Sequence, residues 1–162
     1  SIYTPKEGSS RVVTQFLGHI VRGEPIHLVD GGRQRRCFTD VEDGIGALMR
    51  ILLNEGGRAN GGIYNIGNPA NDLSVKDLAE KMLALAAVRP EYKDYAAKVT
   101  LQVTSAGDYY GQGYQDVDRR VPAIANTMRD LDWKPQVTME QALNRLFDHY
   151  RSELDAARHL ND

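Results

Sequence analysis

The spacing of hydrophobic positions along the chain predicts five helices. In each of them, apolar residues recur every three or four positions, which places them on one face of a helix. Short apolar runs between the helices have the length of strands. The predicted helices occupy residues 9–22, a stretch opening at 39–42, a stretch opening at 74–77, residues 122–131 and a long stretch opening at 138–141.

The first helix has signals at both ends. Ser9 or Ser10 is the expected N-cap, and Gly23 is expected to end the helix. Arg11 then lies in the first turn, where the helix dipole disfavours a cation. A nearby anion would favour this placement, but a solvated arginine is the simpler interpretation. The residues expected to face the core are Val12, Val13, Phe16, Leu17, Ile20 and Val21.

The second helix is expected to begin at a capping box, residues 39–42. Strands are expected at residues 63–66 and 99–103, and residues 91–98 are expected to be irregular. We expect the strand at 63–66 to join the edge of a larger sheet, which would leave an apolar face exposed in this chain. The expected buried face of the second helix consists of Val41, Ile45, Leu48, Met49 and Leu52.

Residues 25–40 are typical of a β-hairpin whose turn is Asp30-Gly31-Gly32. Three arginines follow the turn, so residues 27–36 carry three arginines against one aspartate although the whole chain has a net charge of −2. Guanidinium groups suit phosphate or carboxylate, and glycines let a ligand approach the backbone. The segment predicts either an anion site on the hairpin rim or an ordinary hairpin with a solvated basic face.

Residues 104–121, here called the tyrosine loop, break the periodic pattern with three glycines, three tyrosines and two adjacent arginines. Long loops in compact domains are usually functional or disordered, and so many aromatic residues argue against disorder. Tyrosine offers a flat face for a base or sugar and a hydroxyl group. A loop that covers a ligand is therefore favoured over a flexible surface insertion.

The composition is that of a soluble globular chain. Its 162 residues, of which 41% are hydrophobic and 26% charged, suit one domain or part of a larger one. The net charge of −2 argues against a nucleic-acid partner, and no apolar run approaches the ~20 residues of a membrane span. The chain begins without Met or an apolar signal core, so a boundary inside a longer protein and a cytoplasmic location are expected.

Several catalytic and cofactor motifs are absent from the sequence. It has no Gly-x-Gly-x-x-Gly after a strand, no phosphate-binding Gly-x-x-x-x-Gly-Lys-Ser/Thr and no Tyr-x-x-x-Lys pair. The four histidines lack metal-ligand spacing, so no metal site is expected. The single cysteine, Cys37, excludes an internal disulfide and is expected to be a buried small hydrophobic residue rather than a nucleophile.

The order of several motifs resembles the C-terminal half of the extended short-chain dehydrogenases, which include nucleotide-sugar epimerases, dehydratases and decarboxylases. A finer resemblance is to the UDP-glucuronate decarboxylase domain of the bifunctional polymyxin-resistance enzymes, and the tyrosine loop is its most specific part. The general resemblance is carried by residues 36–43, 63–67, 73–79 and 131–135, and the finer one by residues 9–15, 28–40 and 109–120.

The resemblance implies an α/β substrate-binding lobe with about five helices and short strands, without the Rossmann half that binds NAD. Residues 1–162 would form this one lobe, with a frayed tail at 152–162. The implied reaction is oxidation of UDP-glucuronate at C4 by NAD and loss of carbon dioxide, giving a UDP-4-keto-pentose for lipid A modification with aminoarabinose. The implied longer protein is a cytoplasmic homo-oligomer that also carries a formyltransferase domain.

The resemblance also assigns roles to residues. Arg120 matches a proton donor to the carbanion formed on decarboxylation. A guanidinium with a pKa above ~12 is better suited to electrostatic stabilisation, and the neighbouring Arg119 leaves open which arginine faces the substrate. Arg11 and Tyr114 match substrate-binding positions, and no cofactor- or metal-binding residue is assigned. The other residues that match the UDP-sugar site are His27, Leu28, Val29, Asp30, Gly31, Gly32, Arg33, Gln34, Arg35 and Arg36.

Two other functions stay open at this point: another epimerase or dehydratase of the superfamily, and a non-catalytic module that binds nucleotide sugars. In the family, the glycine-rich NAD loop and the Tyr-x-x-x-Lys catalytic pair lie in the half that has no counterpart here. We therefore expect this chain alone to be inactive and to bind NAD poorly.

Overall fold

The computed structural model describes residues 11–105 and 117–155, which form two compact units. The first unit contains residues 11–34, 74–105 and 143–155, and the second contains residues 35–73 and 117–142. The described helices are α1 (Val12–Arg22), α2 (Val41–Leu53), α3 (Val75–Ala87), α4 (Lys93–Ala96), α5 (Ala125–Leu131) and α6 (Met139–Tyr150). The described strands are β1 (Ile26–Val29), β2 (Arg35–Cys37), β3 (Asp72–Ser74), β4 (Leu101–Thr104) and β5 (Arg119–Arg120).

Helices α1 and α3 and residues 143–150 of α6 supply most of the core of the first unit. Its sheet consists of β1 and β4, which pair in parallel from Ile26↔Leu101 to Val29↔Thr104. The polar stretch predicted to be irregular contains α4 instead, because Tyr92 is fully buried and its hydroxyl donates to the carbonyl of Phe147 at 2.7 Å. The largest buried side chains of this unit are Phe16, Leu17, Ile20, Val21, Ile26, Leu78, Met82, Tyr92, Leu143 and Phe147.

Helix α1 matches the prediction at its end and in four of the six expected core-facing residues, which are Phe16, Leu17, Ile20 and Val21; Val12 and Val13 are half-buried. Gly23 adopts a left-handed conformation with φ 67°, and its N–H donates to carbonyls of the last turn. The N-cap, however, is Arg11, which makes no side-chain capping hydrogen bond; Ser9 and Ser10 lie outside the described residues. Arg11 is exposed at the helix start rather than inside the first turn.

The predicted hairpin at residues 25–40 is wrong. Asp30–Gly32 does form a tight turn, with Gly31 at φ 77°, but β1 and β2 do not pair with each other. Each strand instead pairs with strands from later in the chain: β1 with β4, and β2 with β3 and β5. The sequence correctly predicts the turn at residues 30–32, but a local turn motif does not indicate which distant strands pair with β1 and β2. Gly32 is required by packing, since a Cβ there would lie 2.9 Å from the backbone nitrogen of Lys76.

The second unit has a three-stranded sheet in the order β3-β2-β5, in which β2 and β5 are parallel. Its hydrophobic core lies between α2, α5 and the segment after α5. Buried Ala47, Ile124, Leu131 and Trp133 are packed against partly buried Ile51, Ala59, Tyr64 and Ile66.

Helix α2 is rotated relative to the prediction, so the face expected to be buried is exposed. Its buried residues are Asp43 and Ala47. The Asp43 carboxylate accepts hydrogen bonds from the backbone N–H groups of Gln136 and Val137, at 2.8 and 3.0 Å, and this polar anchor turns the Asp43 side of the helix inward. The N-cap is Asp40 instead of Thr39. The residues left outside form the α2 stripe, with exposed fractions of Val41 70%, Ile45 54%, Leu48 57% and Leu52 75%.

Residues 63–66 do not form the predicted strand within this chain. Tyr64 and Ile66 pack against the core while Ile63 is 91% exposed. The alternation of inward and outward side chains expected of a strand is therefore present. A side chain, and not a neighbouring strand, supplies a backbone hydrogen-bond partner here: the Thr127 hydroxyl donates to the carbonyl of Asn65 at 2.7 Å. The pairing of residues 63–66 with the edge of a larger sheet stays a prediction. No helix in the described ranges is long and apolar enough to span a membrane.

Candidate functional site

The register of β2 and β5 brings four arginines together in the second unit. Arg35 is opposite Arg119, and Arg36 is opposite Arg120. Since partners in register share a face of a sheet, each arginine pair extends from the same side. Arg36 and Arg120 line a groove of about 920 Å³, here called the arginine groove, together with Cys37, Asn65, Arg119 and residues 121–123.

Asp72 on β3 holds the pair of Arg35 and Arg119. Its Oδ2 atom accepts from Nε of Arg35 at 3.2 Å and lies 2.8 Å from a terminal guanidinium nitrogen of Arg119. Burial alone would raise the pKa of Asp72, but the hydrogen bonds and positive charges of Arg119 and Arg35 outweigh burial and lower its pKa below the ordinary 3.8. Asp72 is therefore ionised at neutral pH, and it links the outer strands of the sheet through side chains.

Arg36 is fixed by the backbone at the edge of the arginine groove. One terminal nitrogen of its guanidinium donates to the carbonyls of Arg35 and Val117, both at 2.8 Å. A guanidinium held in this way needs little reordering when an anion binds, which favours affinity. The described part of the groove can therefore bind a phosphate or carboxylate group through Arg36 and Arg120.

Cys37 lines the same groove but is not activated as a nucleophile. Burial raises the pKa of its thiol, a backbone hydrogen bond with Asn68 lowers it, the charge of Asp72 raises it, and the net shift is upward from 9.0. The thiol also donates to the carbonyl of Asn68 at 2.8 Å, a contact that the thiolate cannot make. The reactive form of a cysteine is the thiolate, so a raised pKa lowers the reactivity of this side chain near neutral pH.

Alkylation of Cys37 is expected to be slow in the folded protein. At pH 7 its half-time with iodoacetamide should be several times longer than that of the same chain unfolded in urea, because unfolding returns the thiol pKa to its ordinary value. The modified fraction is followed by intact-mass spectrometry. Equal rates for folded and unfolded chains would show that the burial and hydrogen bond of Cys37 do not suppress its reactivity.

The structure divides the residues proposed for the UDP-sugar site between the two units. Arg35, Arg36 and Arg120 come together in the second unit, whereas residues 27–34 and Arg11 lie in the first. Tyr114 lies outside the described residues. Asp72 and Asn65 were not identified from the sequence, because the sequence assigns a site role to neither; Asp72 gains its role from strand pairing, and Asn65 from its place along the arginine groove.

Within residues 27–34, exposure differs from position to position. Leu28 and Val29 are 3% and 8% exposed, so the structure leaves a ligand little access to either residue. The exposed His27 has its Nδ1 atom 3.2 Å from the hydroxyl oxygen of Thr104. Arg33 is exposed, and the carbonyl of Gln34 accepts the N–H of Val75 at 3.0 Å. The assignment of residues 27–34 to a substrate site stays a prediction.

Residues 1–67 match the model of the NAD dependent epimerase/dehydratase family. The PbgP3 protein from Burkholderia pseudomallei is 57% identical over 100% of this chain, with a TM-score of 0.84 and 45% of its own length covered. The chain has the fold of part of an epimerase/dehydratase. The predicted α/β lobe of this superfamily is confirmed.

Two more distant epimerase/dehydratase structures share the fold. UDP-glucose 4-epimerase from Thermotoga maritima, determined with UDP-glucose, has 21% identity and a TM-score of 0.66, covering 94% of this chain and 44% of its own. The dTDP-glucose 4,6-dehydratase from Bacillus anthracis, in complex with NAD, has 19% identity and a TM-score of 0.70, covering 93% of this chain and 42% of its own. The chain thus spans less than half the length of each of these three proteins.

The described residues do not fit NAD. A dinucleotide loop needs glycines between a strand and the start of a helix, where the pyrophosphate binds. The glycine turn after β1 leads into β2, and β3 runs directly into α3 without a glycine. In residues 11–105 and 117–155, no group of three or more His, Cys, Asp or Glu side chains could hold a metal ion.

Proposed function

We propose that this chain is the UDP-sugar-binding part of an NAD-dependent UDP-glucuronate oxidative decarboxylase, which gives a UDP-4-keto-pentose. The observation that carries the proposal is the register that places Arg36 beside Arg120 along the arginine groove. The family match and the 57% identity to PbgP3 support an enzyme that modifies nucleotide sugars. The resemblance of residues 28–40 and 109–120 to polymyxin-resistance decarboxylases supports the narrower choice of substrate.

In this proposal, the arginines bind and stabilise negative charge. Arg36 binds the diphosphate, since guanidinium donors match phosphate oxygens and a charged hydrogen bond contributes ~1.5–3 kcal/mol. Loss of carbon dioxide from a β-keto acid leaves the electron pair of the broken bond in an enolate. Arg120 stabilises that developing charge as a fixed cation, a role that does not require guanidinium to release a proton.

The remaining steps require protein that this chain does not include. Since the described residues of this chain do not fit NAD, the cofactor is bound by a complementary NAD-binding part, which we place against the α2 stripe. Contiguous apolar surface of this kind marks an interaction site, and the matched PbgP3 chain is more than twice as long as its matched portion. The longer protein would be a cytoplasmic homo-oligomer with a formyltransferase domain, serving lipid A modification and polymyxin resistance.

Replacing Arg36 or Arg120 by alanine is expected to weaken binding of UDP-glucuronate by about 10- to 150-fold, the equivalent of ~1.5–3 kcal/mol. The measurement is isothermal titration calorimetry on the 162-residue chain. Arg58→Ala is the matched control, because Arg58 is an exposed arginine of the same unit that does not line the arginine groove. Unchanged affinity in both groove variants would remove the basis for this site.

A UDP-sugar epimerase or dehydratase is the second candidate, because the family model that matches is described at that level. Titration with UDP-glucose separates the two. A decarboxylase site should prefer UDP-glucuronate by at least about tenfold, and Arg120→Ala should reduce that preference, because the sugar carboxylate is the group that differs. Equal affinity for both sugars would favour the epimerase.

A further inference from the structure

Four guanidinium groups on two neighbouring strands repel one another, and little backbone pairing opposes that repulsion. Arg35 and Arg36 lie on β2, and Arg119 and Arg120 form the whole of β5. A strand of two residues contributes few ladder hydrogen bonds. The pairing of β2 with β5 therefore needs an additional stabilising contact.

Asp72 supplies that contact from the opposite edge of the sheet. The strand order β3-β2-β5 places β2 between Asp72 and Arg119, yet Oδ2 of Asp72 lies 3.0 Å from Nε and 2.8 Å from a terminal nitrogen of Arg119. Its backbone carbonyl also accepts from a terminal nitrogen of Arg35 at 2.7 Å. The Asp72 side chain is only 8% exposed, which limits screening of these contacts by water.

We propose that Asp72 is a positioning residue for the arginine groove: by binding Arg119 and Arg35 it holds β5 against β2 and thereby places Arg120 beside Arg36. Asp72 does not line the groove, so it acts through the arginines and not on the ligand. Only the identity of the ligand rests on the proposed function.

For replacement of Asp72 by a neutral residue, the proposal and simple electrostatics predict opposite changes in the affinity for an anion. Asp72→Asn removes a negative charge next to an anion site, and charge alone would tighten anion binding. A positioning role predicts weaker binding, because Arg119 loses its charged partner and β5 separates from β2. Asp72→Glu keeps the charge and displaces the carboxylate by one methylene group. This variant therefore tests the position of the carboxylate separately from its charge.

The first test needs no ligand. Hydrogen–deuterium exchange read by mass spectrometry is expected to show at least about tenfold faster exchange in the peptide carrying β5 for Asp72→Asn, with the peptide carrying α1 unchanged. Asp132→Asn, whose side chain is 84% exposed in the same unit, is the control. Unchanged protection of β5 in Asp72→Asn would overturn the proposal, whether or not the chain binds UDP-glucuronate.

The second test measures affinity for pyrophosphate and for UDP-glucuronate by calorimetry. We expect at least about tenfold weaker binding for Asp72→Asn and an intermediate loss for Asp72→Glu. Equal or tighter binding by Asp72→Asn would overturn the positioning role. If Asp72→Asn fails to fold, Asp72→Glu decides both tests. Wild-type affinity together with wild-type protection of β5 in Asp72→Glu would then overturn the proposal. Weakened pyrophosphate binding without any binding of UDP-glucuronate would support Asp72 and refute the proposed substrate.

Discussion

Replacing Ile45, Leu48 and Leu52 by glutamine is expected to leave the folded 162-residue chain intact and to abolish its association with the complementary part. The exposed fractions of these side chains are 54%, 57% and 75%, so the substitutions should change the free energy of unfolding by less than about 1 kcal/mol. Burial of each side chain in an interface would contribute roughly 1.5–3 kcal/mol, so losing all three should weaken association at least a hundredfold.

Urea unfolding measures the first quantity, and co-purification with the co-expressed remainder of PbgP3 measures the second. The matched control replaces Val88 and Val103 by glutamine. These apolar residues of the first unit are exposed by 76% and 74%, and their replacement should leave co-purification unchanged. Co-purification of the triple variant at the wild-type level would show that the complementary part does not contact the α2 stripe.

Asp43→Ala is expected to lower the free energy of unfolding by about 2–5 kcal/mol, because two buried backbone donors lose their carboxylate acceptor. Asp43 is 6% exposed, and its two carboxylate oxygens accept the N–H groups of Gln136 and Val137. Its backbone carbonyl also accepts the indole N–H of Trp133 at 3.1 Å. Removing the carboxylate leaves two backbone donors unsatisfied and frees α2 to rotate.

The control for this variant is Glu80→Ala, which removes an exposed carboxylate from the middle of α3 and should change stability by no more than about 0.5 kcal/mol. Chemical denaturation gives the free energy, and Trp133 fluorescence reports on the packing near Asp43. A loss below about 1 kcal/mol for Asp43→Ala would mean that the two hydrogen bonds do not set the rotation of α2.

The sequence predicts well what local patterns determine. Helix α1 is recovered with its buried face and its end at Gly23, because apolar spacing and a left-handed glycine act over a few residues. The start of α3 is recovered for the same reason, since Ser74 and Asp77 form a capping box where the helix is predicted to open.

Features that depend on distant partners could not be predicted. The pattern of α2 indicates an apolar face but does not say whether that face meets the core of this chain or another polypeptide. The buried Asp43 reverses the expected rotation through contacts with residues more than 90 positions away. The sequence predicts anion binding by the arginines near residue 35, and this stays a prediction; their partners Asp72 and Arg119 follow from strand order, which apolar spacing does not encode.

The pairing of β2 with β5 also has a consequence for when binding ability arises. Arg36 donates to the carbonyl of Val117, 81 positions away, so the two sides of the groove meet only after a large loop has closed. Contacts of such long sequence separation are costly in chain entropy and tend to form late in folding. A nascent or partly collapsed chain would then lack the groove that the proposed function requires, and the onset of ligand binding would mark the completion of folding.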